Sequence, residues 1–170
     1  MKGYLLVDGY NIIFAWAELR AAANEISLDA ARERLTDVLR DYAALTGLLV
    51  ILVFDAYRVK RGESVEKRGR VRVVYTKERD TADAYIERAA GRLLPQAVFV
   101  ATDDILEQVV ILGRGAFRIS SAKLRENVEA ARRAMEKRVE DAEEVKPNRL
   151  SNRVDKETAA ALERMRRGEW

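Results

Sequence analysis

The run Leu48 to Phe54, LLVILVF, constrains this chain more than any other stretch. It is continuously apolar, partly β-branched, and too short for an ordinary globular helix. It has no polar side to give to water. Strands of this kind lie in the middle of parallel sheets, buried on both faces by helices. Shorter apolar runs recur at Tyr4–Val7, Val71–Tyr75, Ala97–Ala101 and Ala116–Ile119. Between them lie segments of helical pattern. Ile12–Ala23 is helical in composition. Leu28–Leu45 places Leu28, Ala31, Leu35, Val38, Leu39 and Tyr42 at three- and four-residue spacing, with Ser27 as N-cap and Gly47 just past the end. Asp80–Leu94 and Ile105–Leu112 read the same way. A long helix starts after Ser120 or Ser121 and reaches about Glu144, Pro147–Asn152 breaks it, and Asp155–Arg167 forms a last amphipathic helix. Strand and helix alternate, which predicts an α/β fold with a central parallel sheet of about five strands between helix layers. Residues 1–122 form the domain in this reading. Residues 123–170 are a charged helical extension that packs on it or projects from it.

Composition then narrows the chemistry. The 170 residues include no cysteine and no histidine. Disulfides, thiolate metal sites, a cysteine nucleophile, Ser-His-Asp catalysis and an imidazole base are all excluded. Catalysis would run on carboxylates, lysine, hydroxyls or backbone groups. A participating metal would be a hard cation on oxygen ligands, Mg²⁺, Mn²⁺ or Ca²⁺.

The aspartates fall where such ligands would be needed. Asp8 follows the first strand, Asp55 follows LLVILVF, and Asp103 and Asp104 follow VFVAT. Asp80 and Asp83 open the helix after the third strand. In an open parallel sheet these positions share the carboxyl edge, where ligands bind. Each has a plain structural alternative. Asp80 can be an N-cap and Asp83 an N3 residue, Asp103 and Asp104 can cap the next helix, and Asp8 before Gly9 can be turn chemistry. Asn11 can bind a carboxylate or phosphate, or cap a helix. Thr81 and Thr102 can orient ligands or cap. Taken together, several close carboxylates are costly to keep ionised without a cation. That argues for a divalent metal acting on a phosphodiester.

Charge points the same way. The net charge is only +3, yet residues 58–79 hold nine basic and three acidic side chains, a local +6. Arg58, Lys60, Arg61, Lys67, Arg68, Arg70 and Arg72 are expected to contact a nucleic-acid backbone beside the acidic rim. Arg70 and Arg72 alternate with Val71 and Val73, so they equally suit the solvated side of a strand. No signal-peptide pattern and no membrane-length apolar run occurs, which predicts a cytoplasmic protein.

VDGYN at 7–11, VFDA at 53–56, TADAYIE at 81–87 and VATDDILEQ at 100–108 resemble the NYN-domain ribonucleases of the YacP type, relatives of the PIN-domain nucleases. The resemblance covers most of the chain. It implies a PIN-like α/β/α fold, bound Mg²⁺ or Mn²⁺, and endonucleolytic cleavage of RNA. The RNA would be mRNA, in the context of the translating ribosome. By position, Asp8, Asp83 and Asp104 become the catalytic, metal-holding aspartates. Asp55 is a supporting acid and Asn11 the asparagine of the signature. Asp103 either adds a ligand or caps a helix, and Asp80 and Thr81 stand as supporting positions. A catalytically silent RNA- or ribosome-binding module on the same fold is the alternative reading. A receiver domain fits poorly, because Asp8 stands alone and FRISS occupies 117–121. A haloacid-dehalogenase phosphatase would need an acid at position 10, which is Tyr.

Overall fold

The computed structural model describes residues 3–55, 64–77, 80–104 and 115–151. The strands are β1 (Tyr4–Asp8), β2 (Leu49–Phe54), β3 (Ser64–Arg68), β4 (Val71–Tyr75), β5 (Val98–Ala101) and β6 (Phe117–Ile119). The helices are α1 (Gly9–Ala15), α2 (Ala17–Glu25), α3 (Leu28–Thr46), α4 (Ala82–Leu93) and α5 (Ser121–Ser151). One sheet takes all six strands in the order β3-β4-β2-β1-β5-β6. Every pairing is parallel except β3 with β4.

β1 and β2 lie in the middle, as their apolar sequences demand. Leu5, Leu6 and Val7 are wholly inaccessible to solvent, as are Leu52, Val53 and Phe54. Alternate residues supply the two faces. Leu5, Val7, Val50, Leu52, Phe54, Val71 and Val73 pack against α1, α2, α3 and Leu124 at the start of α5. On the opposite face Leu6, Val53 and Val100 pack against Ile86 and Ala90 of α4. The expected α/β architecture with helices on both faces is what the chain adopts.

Several boundaries differ from expectation, each for a local reason. The helix expected over 12–23 is two helices. α1 begins at Gly9 because the Asp8 carboxylate accepts the Asn11 N–H (3.1 Å) and so caps it. It ends at Trp16, whose extended backbone separates α1 from α2 and whose indole N–H donates to the Ser121 carbonyl (3.0 Å). A tertiary hydrogen bond therefore sets that break. β3, Ser64–Arg68, was not expected, because SVEKR is polar. It is an edge strand returned by a tight turn at Gly69, φ +64°. The helix expected to stop near Glu144 continues through Pro147 to Ser151. A proline removes one helical hydrogen bond, and here the helix runs on past it. The helices expected at 105–112 and 155–167 lie outside the described residues. Ser27 and Gly47 cap α3 as expected, with Ser27 Oγ accepting the Ala30 N–H (3.0 Å) and Gly47 at φ +76°. The chain divides into two compact units, residues 1–132 and 133–170. No helix among the described residues is long and apolar enough to cross a membrane.

The turn from β1 into α1 leaves no room for a side chain at position 9. A Cβ on Gly9 would stand 2.2 Å from the Phe54 ring. That ring cannot swing away, because it is enclosed between Tyr10 and Tyr75, with ring centroids 5.2 and 5.6 Å off. Gly9→Ala should therefore lower stability by about 1–3 kcal/mol, the usual cost of overpacking, read as a lower urea midpoint. The loss should shrink in a Phe54→Leu background. An equal loss in both backgrounds would show that the ring is not the obstacle.

Candidate active site

The parallel registers of β2, β1 and β5 bring three strand ends to one edge, with Asp8 opposite Val53 and Val7 opposite Ala101. Asp8 ends β1, Asp55 follows β2, and Thr102, Asp103 and Asp104 follow β5. β4 delivers its chain to the same edge. Thr76 continues it and donates from its hydroxyl to Asp55 (3.4 Å). Asp83 then lies in the first turn of α4.

Asp8 carries two duties that oppose each other. Its carboxylate caps α1, yet burial pushes its pKa up to about 6, against the lowering effect of the Asn11 N–H. The charges of Asp83 and Asp55 push it further. The Asp83 pKa is also raised, first by desolvation and then by the charges of Asp104 and Asp55. Asp8, Asp55 and Asp83 thus fall within electrostatic reach of one another, and Asp104 within reach of Asp83. Among the described residues no three acidic side chains stand close enough to enclose an ion ready-made. Small hard cations keep much of their water and commonly take only one or two carboxylates. The donor set, all oxygen and mutually repelling, suits such an ion without forming a closed cage.

The neighbouring residues sort into different roles. Asn11 is not a helix cap, since Asp8 fills that place. Its side-chain oxygen accepts the Asp103 N–H (3.1 Å), joining α1 to the loop after β5. The buried Thr102 hydroxyl accepts the Asp104 N–H (3.1 Å) and shapes the same loop. The Asp103 carboxylate turns toward the start of α5, where it accepts the Ser121 N–H (2.9 Å) and hydroxyl and lies 3.8 Å from Arg118. Asp80 does not cap α4. Thr81 does, accepting the Ala84 N–H (3.2 Å), while Asp80 pairs with Arg88. The contribution of Thr76 escaped the sequence reading. A hydroxyl directly after an apolar strand was its only signal.

The basic residues are not all where the acidic rim is. Arg58, Lys60 and Arg61 lie outside the described residues. β4 runs toward the rim, so the turn at Gly69 and Arg70 sits at the opposite edge of the sheet. There Arg70 donates to the Gly47 carbonyl (3.0 Å). Arg68 is held by Glu33 and Glu66 at 2.5 and 3.2 Å, which raises its pKa further. The expectation that Lys67, Arg68, Arg70 and Arg72 face the rim is therefore corrected. The hairpin carries them to the far edge.

The Asp8 shift has a sign that can be tested. A carboxyl that holds its proton more tightly folded than unfolded contributes stability at low pH, and that contribution is lost as pH rises from about 4 through 6. In metal-free protein at pH 7.5 the ionised Asp8 costs up to about 2–3 kcal/mol. Asp8→Asn keeps a good N-cap and removes the charge. In EDTA it should raise Tm at pH 7.5 by several degrees, at about 2–4 °C per kcal/mol, and by less at pH 5. A lower Tm at pH 7.5, or a gain independent of pH, would contradict the account.

Three comparisons bear on this arrangement. The model of the YacP-like NYN domain matches residues 5–167. YacP of Bacillus subtilis strain 168 is 40% identical over 169 residues, covering 97% of each chain. The crystal structure of Rae1 (YacP) from Bacillus subtilis superposes with a TM-score of 0.70 at 40% identity, over 98% of this chain and 95% of that one. A Trp-to-Leu variant of the same protein gives 0.72 at 39% identity, over 85% of each. With its motifs, its fold and nearly its whole length matched, the chain belongs to the YacP-like NYN domain family.

Proposed function

We propose that this protein is a divalent-metal-dependent endoribonuclease that hydrolyses RNA at the aspartate rim. The observation that carries the reading is the pair Asp8 and Asp83. Both are pushed above the usual carboxylate range by burial and by neighbouring acids. Retaining such repulsion is unfavourable unless a cation offsets it. Asp8 and Asp83, with Asp104 beside them, would hold Mg²⁺ or Mn²⁺. When bound, the ion supplies a more acidic water and positive charge against the phosphate oxygens. Around it the chain's own groups hold geometry. Thr76 orients Asp55, Thr102 shapes the backbone at Asp104, and Asn11 keeps that loop against α1. The absence of histidine and cysteine leaves carboxylates to do this work. The substrate proposed is mRNA, reached in the cytoplasm and in the context of the translating ribosome, as the family resemblance implies.

The test is cleavage of end-labelled RNA by purified protein. Product should form with Mg²⁺ or Mn²⁺ and not in EDTA. Asp8→Asn and Asp83→Asn should each lower the rate by about 100-fold or more, as loss of a group that stabilises transition-state charge does, with circular dichroism unchanged. Wild-type rates in both variants would overturn the proposal. RNA binding without product at any divalent ion would favour the silent binding module instead.

A further inference from the structure

The two faces of the sheet treat their cations differently. On the α3 side three arginines are matched. Arg68 pairs with Glu33, Arg40 with Asp37 and Arg32 with Asp29. On the α4 side, a hollow of about 390 Å³ lies between α4, Ile51 and the chain that follows β4, and one of about 200 Å³ lies between Leu93, the starts of β1 and β2 and the β3–β4 hairpin. They share Ile51 and Leu93 and so form one groove. Its walls carry Lys77, Arg88, Arg92, Lys67, Arg70 and Arg72, with Asp80 as the carboxylate among them.

The registers explain why these charges gather. Lys67 stands directly opposite Arg72 across β3 and β4, so both project from one face. Arg72 in turn lies beside Ile51 of β2, whose side chain packs with the α4-side cluster. Like charges directly opposite on a sheet are destabilising. Among the described residues Lys67, Arg72 and Arg92 have no acidic partner to relieve this. The floor made by Ile51 and Leu93 is apolar, and Tyr85 lines the first hollow. Asp80 lies at the rim end of the groove, just before the Thr81 cap of α4 and three residues before Asp83.

We propose that this groove carries the phosphate backbone of the RNA strand that is cut at the aspartate rim. The inference rests on the nuclease reading for its destination. It deepens that reading by assigning the path, which runs along the α4 face and not over Arg68 and the α3 face. The like charges of Lys67, Arg72 and Arg92 are then relieved by phosphates, with release of the counterions that otherwise screen them.

The experiment is fluorescence anisotropy of labelled single-stranded RNA with the full chain in EDTA, so that binding is read without cleavage. Lys67→Gln/Arg72→Gln/Arg92→Gln should bind at least about 10-fold more weakly near 0.1 M salt. Its slope of log affinity against log salt should be shallower by about 2, for three cations at about 0.7 each on a single strand. The charge-conserving Lys67→Arg/Arg72→Lys/Arg92→Lys should bind within about threefold of wild type, which separates charge from folding. Arg34→Gln/Arg40→Gln, exposed on α3, should leave both affinity and slope unchanged. The proposal is overturned if the triple glutamine variant keeps the wild-type slope, or if the α3 variant loses as much. It is equally overturned if the wild type binds polyglutamate and not RNA. Cleavage by wild type with Mn²⁺ is scored separately. Its absence would sink the nuclease reading while the binding data still judge the groove.

Discussion

A desolvated carboxylate at the end of the central strand is the constraint around which the rest is arranged. Asp8 leaves β1 with its charge half out of water and immediately starts α1 with one of its oxygens. For the chain to turn there, position 9 must lack a side chain, because the Phe54 ring occupies that space. For the loop after β5 to meet it, Asn11 must reach across and accept from the Asp103 backbone. The apolar interior fixes where the strand ends stand, and the acids occupy the ends. A rigid, dry scaffold thus holds groups that would separate if free to do so.

The cations are placed by the same sheet but with opposite accounting. Side-chain alternation sends Arg68 toward α3, where Glu33 meets it, and sends Lys67 and Arg72 toward the α4 side, where no acid among the described residues does. A charge count over residues 58–79 blends these two populations. Separated by face, one set stabilises the fold modestly, as exposed ion pairs do. The other set is left available to something outside the protein.

Much of the fold was legible because its strongest signals are local. A run such as LLVILVF admits few environments, and Ser27 and Gly47 mark the ends of α3 by chemistry confined to a single turn. The convergence of Asp8, Asp55, Asp83 and Asp104 followed from strand direction alone. What escaped detection depends on distant partners. The break at Trp16 is set by a carbonyl more than a hundred residues away. β3 is polar and takes its order from β4. Asp80, Thr81 and Asp103 looked alike in sequence as residues near helix starts. Only Arg88 and Ser121, brought close by folding, decide which of them cap and which pair. Pro147 shows the reverse case, a strong local signal that does not end the helix.

The central claim is that the acids at the rim form a site for a hard divalent cation. The most direct measurement is a crystal of this protein grown with Mn²⁺, read by its anomalous scattering. The account predicts a peak in contact with the carboxylates of Asp8 and Asp83, with water and either Asp104 or Asp55 completing the oxygen shell. A map with no peak at the rim under saturating Mn²⁺, or with Mn²⁺ bound only at other surface acids, would contradict it.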